Sequence, residues 1–386
     1  MAIKKTIPPN PFLLTGYVSP DYFCDREQET QQLVSALLNG RNVTLISPRR
    51  MGKTGLIKHA FHQVEAKKQA KCYYVDLYKT NSLASLVKQL ANVVLGSLDT
   101  TQDKIMKQVM TFFKSLRPLF SFDSLSGVPT LMVDIKPELA ESSLAEIFSY
   151  MEHSGQQCII AMDEFQSIVD YGESHVEALL RSHIQQLSSV HFIFSGSQRH
   201  VMENMFAAPN RPFYQSTQIM NLYEIQENAY YEFAAEKMSS HHQQMDADVF
   251  GYLYHKLEGH TWYVQLLLNR LFESGEKVIT KEFVDTVLYS IVDENEATYQ
   301  TFMRLITPAQ AKLLRSIAME GSVRQAFSQL FIGKYRLPAA STVRSAINNL
   351  VEKDLVLDAQ GSYQVYDRFF AIWLRSSASN YSVGMP

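Results

Sequence analysis

The run Ser47-Pro48-Arg49-Arg50-Met51-Gly52-Lys53-Thr54 constrains this chain most, because of what stands on either side of it. Asn42-Val43-Thr44-Leu45-Ile46 before it is an apolar run, and Gly55-Leu56-Ile57 after it opens a helix-forming one. A strand, a tight loop ending in Gly-Lys-Thr and a helix together make the setting of a phosphate-binding P-loop. In such a loop successive backbone N–H groups curl round a β-phosphate, and the helix N-terminus adds the positive end of its dipole. The lysine ammonium reaches the β and γ oxygens, and the threonine hydroxyl ligates Mg²⁺. Lys53 and Thr54 take those parts, while Pro48, Arg49, Arg50, Met51, Gly52 and Gly55 complete the phosphate-binding run. Ser47 stands at the first position, where the consensus has glycine, so the turn out of the strand must accommodate a Cβ.

Two further apolar runs carry matching chemistry at their carboxyl ends. Cys158-Ile159-Ile160-Ala161-Met162 reads as a buried strand that ends in Asp163-Glu164. This is the form of a Walker B strand: Asp163 holds Mg²⁺ through water, and Glu164 accepts a proton from the attacking water. His191-Phe192-Ile193-Phe194 ends in Ser195-Gly196-Ser197-Gln198, which places Ser197 or Gln198 beside a γ-phosphate. Three strands with polar chemistry at the same edge agree with the rule that open α/β sheets bind ligands there. Arg211, before Pro212 in a loop leading to a fifth strand, is a candidate arginine finger for the developing charge. Arg49 and Arg50 have two readings, a phosphate or neighbouring-subunit contact and a structural ion pair.

A chain of 386 residues, 46% hydrophobic, is long enough for two or three domains with ordinary packed cores. Its net charge of -3 exerts no global pull on nucleic acid or anionic membrane, so any such contact must come from a local patch. Cys24, Cys72 and Cys158 are odd in number and far apart, which suits core thiols in a reducing compartment and no zinc or disulfide framework. Pro8, Pro9 and Pro11 interrupt the N-terminus and leave only Phe12-Leu13-Leu14 apolar, too short for a signal peptide. No run approaches the ~20 apolar residues of a membrane span, so a cytoplasmic protein with no membrane contact is expected.

The alternation of strand and helix signals predicts a parallel-sheet core over 1–222. It begins with an extended arm to about residue 22 and carries a β-hairpin insertion at about 115–136, where turn-rich Asp123 to Gly127 separates two apolar runs. From Glu224 strand signals stop and amphipathic helical ones continue, predicting a small helical lid over 223–300, broken at Glu258-Gly259-His260. In 301–386, Thr307-Pro308 starts a helix, further helices are read at Val323 to Phe331 and Ser341 to Val351, and two short apolar runs flank Asp358-Ala359-Gln360-Gly361. Helices followed by a two-stranded wing describe a winged helix-turn-helix.

In this order the pieces resemble the archaeal-type ATPase family, within the STAND and AAA+-related P-loop NTPases. The resemblance rests on Phe23 with Arg26-Glu27, Pro48-Arg49-Arg50 in the loop, Asp163-Glu164, Ser195-Gly196-Ser197, the Gly259-His260 lid turn, and Tyr366-Asp367-Arg368-Phe369-Phe370 with Trp373. It implies ATP and Mg²⁺ as ligands, slow hydrolysis used as a switch, and nucleotide-binding roles for Phe23, Arg26 and His260. Thr261 stands where the family usually has a lid proline that contacts the nucleotide. For the winged helix, Arg344, Asn348, Asn349 and Lys353 form only a modest basic and amide set. Contact with protein, or self-association through the core or the winged helix, is therefore favoured over contact with DNA.

Overall fold

The computed structural model describes residues 8–96, 113–115, 117–122, 129–359 and 361–382. They divide into two compact units, Thr15–Ile225, and Gln226–Pro386 together with Thr6–Leu14 of the N-terminal arm.

In the first unit the strands are β1 (Val43–Ile46), β2 (Lys71–Asp76), β3 (Arg117–Phe122), β4 (Pro129–Asp134), β5 (Cys158–Asp163), β6 (Val190–Gly196) and β7 (Gln218–Asn221). Five of them form a parallel sheet of order β2-β5-β6-β1-β7. The helices are α1 (Glu27–Leu38), α2 (Lys53–Ala66), α3 (Leu83–Gly96), α4 (Ala140–Glu152), α5 (Val176–Ile184) and α6 (Arg199–Ala207). β1, β5 and β6 are buried along their whole length, as expected of parallel strands covered on both faces. Alternation with period two sends Ile159, Ala161, Val43, Leu45 and Ile193 to one face, where α1 and α2 supply Leu33, Leu37, Leu56 and Ile57. Ile160, Met162, Phe192 and Phe194 go to the other face, against Leu86 and Leu90 of α3, Ile147 of α4, Leu180 of α5 and Met202 of α6. Each such fully buried aliphatic or aromatic side chain contributes about 1.5–3 kcal/mol.

β3 and β4 pair antiparallel from Arg117↔Asp134 to Phe122↔Pro129, which is the expected inserted hairpin. Its turn, 123–128, lies outside the described residues.

The second unit is mainly helical: α7 (Glu227–Ser239), α8 (Ala247–Lys256), α9 (Thr261–Glu273), α10 (Lys281–Glu294), α11 (Glu296–Arg304), α12 (Pro308–Glu320), α13 (Gln329–Lys334), α14 (Ala340–Glu352) and α15 (Arg368–Ser382). The strand signal had not wholly stopped, since β8 (Gln244–Met245) and β9 (Val278–Ile279) form a small parallel pair. The arm is docked here: Phe12 is fully buried edge-on to Phe233 and Phe272, and Asn10 and Asn269 exchange hydrogen bonds of 2.9 and 2.8 Å with backbone carbonyls. α12 starts as read, with Pro308 at its first turn and Thr307 and Gln310 closing a capping box. The wing is β10 (Val356–Ala359) against β11 (Ser362–Val365). The helix expected over Val323 to Phe331 is corrected. Val323 instead exchanges two backbone hydrogen bonds with Tyr363, and only Gln329–Lys334 is helical, capped by the Ser328 hydroxyl. Sheet pairing satisfies backbone groups that nine residues of marginal helical spacing could not. Among the described residues no helix is long and apolar enough to cross a membrane.

Candidate nucleotide-binding site

β1 ends at Ile46 and α2 begins at Lys53, so the loop between them opens at the carboxyl edge of the sheet, with β6 and β7 on either side of β1. Its left-handed positions are Arg50 (φ 66°) and Gly52 (φ 91°); Ser47 lies outside that region and carries its Cβ without strain. Glycine is needed at 52 for the conformation itself, because its Cβ would meet open space. Ser47 gains from its side chain, whose hydroxyl donates to Pro48 O at 3.0 Å. Lys53 is buried, and its ammonium donates to Ser47 O, Ser47 Oγ and Pro48 O at 3.0, 3.2 and 3.1 Å. Burial lowers its pKa from 10.5 to about 8, with Arg49 adding to the effect and Glu164 and Asp163 opposing it.

β5 delivers both carboxylates beside this loop. Asp163 Oδ2 accepts from Thr54 Oγ1 at 3.0 Å and from the Tyr74 hydroxyl, and Oδ1 accepts from Glu164 N at 3.1 Å. Glu164 adopts a left-handed backbone (φ 53°) and turns its carboxylate towards β6, where Oε2 accepts from Ser197 Oγ at 2.8 Å and from Gln166 Nε2. Ser197 Oγ accepts from Arg49 Nε at 3.4 Å, so the loop, Ser197 and Glu164 form one hydrogen-bonded chain. The backbone after Glu164 is anchored by Phe165, fully buried against Phe194, Phe206 and Phe213. Gly196 is required by close approach, since a Cβ there would stand 2.5 Å from Gln166 Oε1 and from Met202 Sδ.

The remaining expected site residues fall into three places. Phe23 stacks on His59 of α2 at 4.3 Å between centroids, and its ring lies 3.3 Å from where a Gly55 Cβ would stand. Arg26, buried and left-handed (φ 63°), donates to Met51 O at 3.0 Å, Tyr223 O at 2.8 Å and Glu29 at 3.0 Å, bracing the loop from behind. Arg211 pairs with Glu177 of α5 and takes no part in the hydrogen bonds around Asp163 and Glu164. His260 is in the second unit, buried at the start of α9 with its ring edge-on to Tyr263 at 4.9 Å.

Tyr74, Gln166, Tyr17 and His59 were not read as site residues. Tyr17 OH and His59 Nδ1 are 3.0 Å apart. Only His59 had a signal in the sequence, lying four residues after Gly55 on the same face of α2.

The model of an ATPase domain predominantly from Archaea matches residues 23–267, more than half of the chain. The chain belongs to this ATPase family. A second model, described as a probable winged helix domain, matches residues 297–376. No curated protein matches. Among solved structures, a Walker-type ATPase of Pyrococcus abyssi is similar over 95% of this chain and 99% of its own, with a TM-score of 0.66 at 17% identity. The Aeropyrum pernix Orc2 protein, solved in ADPNP–ADP complexes, is similar over 96% of each chain, with a TM-score of 0.59 at 15% identity. The Orc1 protein of the same organism, solved in complex with DNA, is similar over 98% of each chain, with a TM-score of 0.53 at 15% identity. At these identities the likeness is one of fold. The ATPase thus has a P-loop parallel-sheet core with an inserted hairpin, a helical segment and a C-terminal winged helix.

Proposed function

We propose that this ATPase is a switch operated by ATP and Mg²⁺, hydrolysing slowly and reporting its nucleotide state through the winged helix. What carries the reading is the convergence of Thr54, Asp163, Glu164 and Ser197 into one connected set of hydrogen bonds that Arg49 joins to the loop, where the buried Lys53 ammonium is held by Ser47 and Pro48. Backbone N–H groups from Pro48 to Gly55 and the start of α2 suit the phosphates, apart from Pro48 itself, which has no N–H. Phe23 and Arg26 belong to the same end of the core; a nucleotide-binding role for His260 rests on the family resemblance. Thr54 and Asp163 fit Mg²⁺, being hard oxygen donors 3.0 Å apart; a single hydroxyl and carboxylate is what this ion takes when phosphates and water fill its other positions. Bound there, the cation would neutralise charge developing on the phosphates. Glu164 deprotonates the attacking water and Ser197 senses the γ-phosphate. Arg211 serves as an arginine finger only after leaving Glu177.

The helical segment 223–300 acts as lid and 301–386 as effector, with a protein surface as its target. In support, basic side chains in and around α14 are already engaged: Lys334 with Glu320, Lys312 with Arg336 O at 2.7 Å, and Arg344 over the Phe327 ring at 4.5 Å. Thermal melting tests the nucleotide reading. ATP with Mg²⁺ at a hundredfold above its Kd stabilises the wild type by about 2.7 kcal/mol, and Lys53→Ala abolishes that gain. An unchanged shift in the variant refutes the site.

A further inference from the structure

Tyr73 and Tyr74 stand side by side in β2, and the pleat sends them to opposite faces of the sheet. Tyr73 enters the core beneath α3 and α4, whereas Tyr74 packs on the α2 side. In the parallel register Tyr74 lies opposite Ala161, two residues before Asp163 on the same face, so a long side chain leaning along the strand reaches the Asp163 carboxylate. It does: the phenol donates to Asp163 Oδ2, the same oxygen that accepts from Thr54 Oγ1. The ring is held over its other face by Lys58, one helical turn beyond Thr54, with Nζ 5.2 Å from the centroid.

Asp163 is buried, and donors reach both of its oxygens: Thr54 and Tyr74 on Oδ2, the Glu164 backbone on Oδ1. A threonine hydroxyl can offer a lone pair to a cation while its proton points at a carboxylate, so the Thr54 bond fits metal binding. The phenol, which meets the Thr54 hydroxyl at this same oxygen, helps to fix the rotation of the carboxylate. We infer that Tyr74 is a positioning residue for the metal side of the site, orienting Asp163 towards a divalent cation held with Thr54.

This inference rests on the assignment of Thr54 and Asp163 to Mg²⁺, and one titration separates the two. Tyr74→Phe removes a single oxygen and keeps the ring with its Lys58 contact, so the fold is retained. Nucleotide-induced stabilisation is measured at fixed ATP, first in EDTA and then along a Mg²⁺ series, for wild type and variant. The expected result is ATP stabilisation in EDTA unchanged, with the Mg²⁺ concentration for half-maximal stabilisation raised 10- to 100-fold, the usual effect of losing an outer partner of a metal ligand. Tyr74→Leu, lacking the ring as well, gives the same displacement if the hydroxyl is what matters. Equal midpoints in wild type and Tyr74→Phe overturn the inference and leave the metal assignment standing. A loss of equal size with and without Mg²⁺ also overturns it, making Tyr74 a packing residue. A wild type indifferent to Mg²⁺ overturns the metal assignment itself and the inference with it.

Discussion

In the second unit Glu258, Arg336 and Asp354 take positive φ one residue past a helix cap, whereas in the nucleotide site Arg26 does so directly before α1, Glu164 directly after β5 and Arg50 inside the loop. The helix-ending residues are held by local backbone closure. Gly259 N donates to Tyr254 O, Leu337 N to Ile332 O and Leu355 N to Leu350 O, each at 2.9 Å, satisfying carbonyls the helix leaves over. Lys68 ends α2 in the same manner, so the device belongs to helix ends in general. In the site, Arg26 and Glu164 are held by side chains from elsewhere in the fold: the Arg26 guanidinium on Met51 O and Tyr223 O, the Glu164 carboxylate by Ser197 and Gln166. A left-handed non-glycine residue costs roughly 1–2 kcal/mol. At a helix end the cost is a matter of turn chemistry; in the site the tertiary contacts that offset it also aim the functional groups.

The largest expected effect tests whether the strained Glu164 is aimed for chemistry. Glu164→Gln keeps the backbone and both donors' partner oxygen but cannot take a proton, so ATP turnover falls by roughly 10² to 10⁴ while nucleotide binding is retained. Steady-state hydrolysis beside a nucleotide titration checks this. Turnover equal to the wild type would place the base elsewhere and reduce Glu164 to a turn residue.

Next in size is a pH effect from Lys53, whose pKa of about 8 is set first by burial inside the loop. Between about pH 8 and its ordinary 10.5, the folded protein without nucleotide holds fewer protons than the unfolded chain, so this group adds stability as pH rises through that window. Phosphate oxygens favour the charged ammonium. ATP binding above pH 8 therefore takes up a proton, and ATP affinity falls about tenfold between pH 8 and 9.5. Calorimetric titration in two buffers of different ionisation heat measures the proton directly; a flat affinity with no uptake rules out the buried, depressed lysine.

The smallest effect sharpens the other side of the comparison. Arg336→Gly removes a Cβ from a left-handed helix end and adds chain entropy to the unfolded state, two opposed contributions that leave a gain of about 0.5 kcal/mol. Chemical denaturation of the two proteins reads it. A clear loss of stability would show that Arg336 is held by more than local closure.

Much of the core could be read from residue order. Gly-Lys-Thr after an apolar run, Asp163-Glu164 closing a second and Ser195 to Ser197 closing a third placed the three strand ends that form the site, because fully buried strands announce themselves as unbroken apolar runs. Thr307-Pro308 with Gln310 announced α12 because a capping box is a local hydrogen-bond pattern. The region around Val323 was misread because its partner, Tyr363, lies in the wing and no local signal reports a pairing over that separation.

Sequence alone determined that a phosphate-binding loop follows a buried strand, that two acids end another, and that a winged helix closes the chain, since each depends on neighbours within a few residues. Only the tertiary structure decided which of two adjacent tyrosines reaches Asp163, that Arg26 braces Met51 and Tyr223, and that Arg211 rests on Glu177. Those outcomes depend on strand register and on contacts between elements distant in sequence, and neither is set by the identity of the residues that make them.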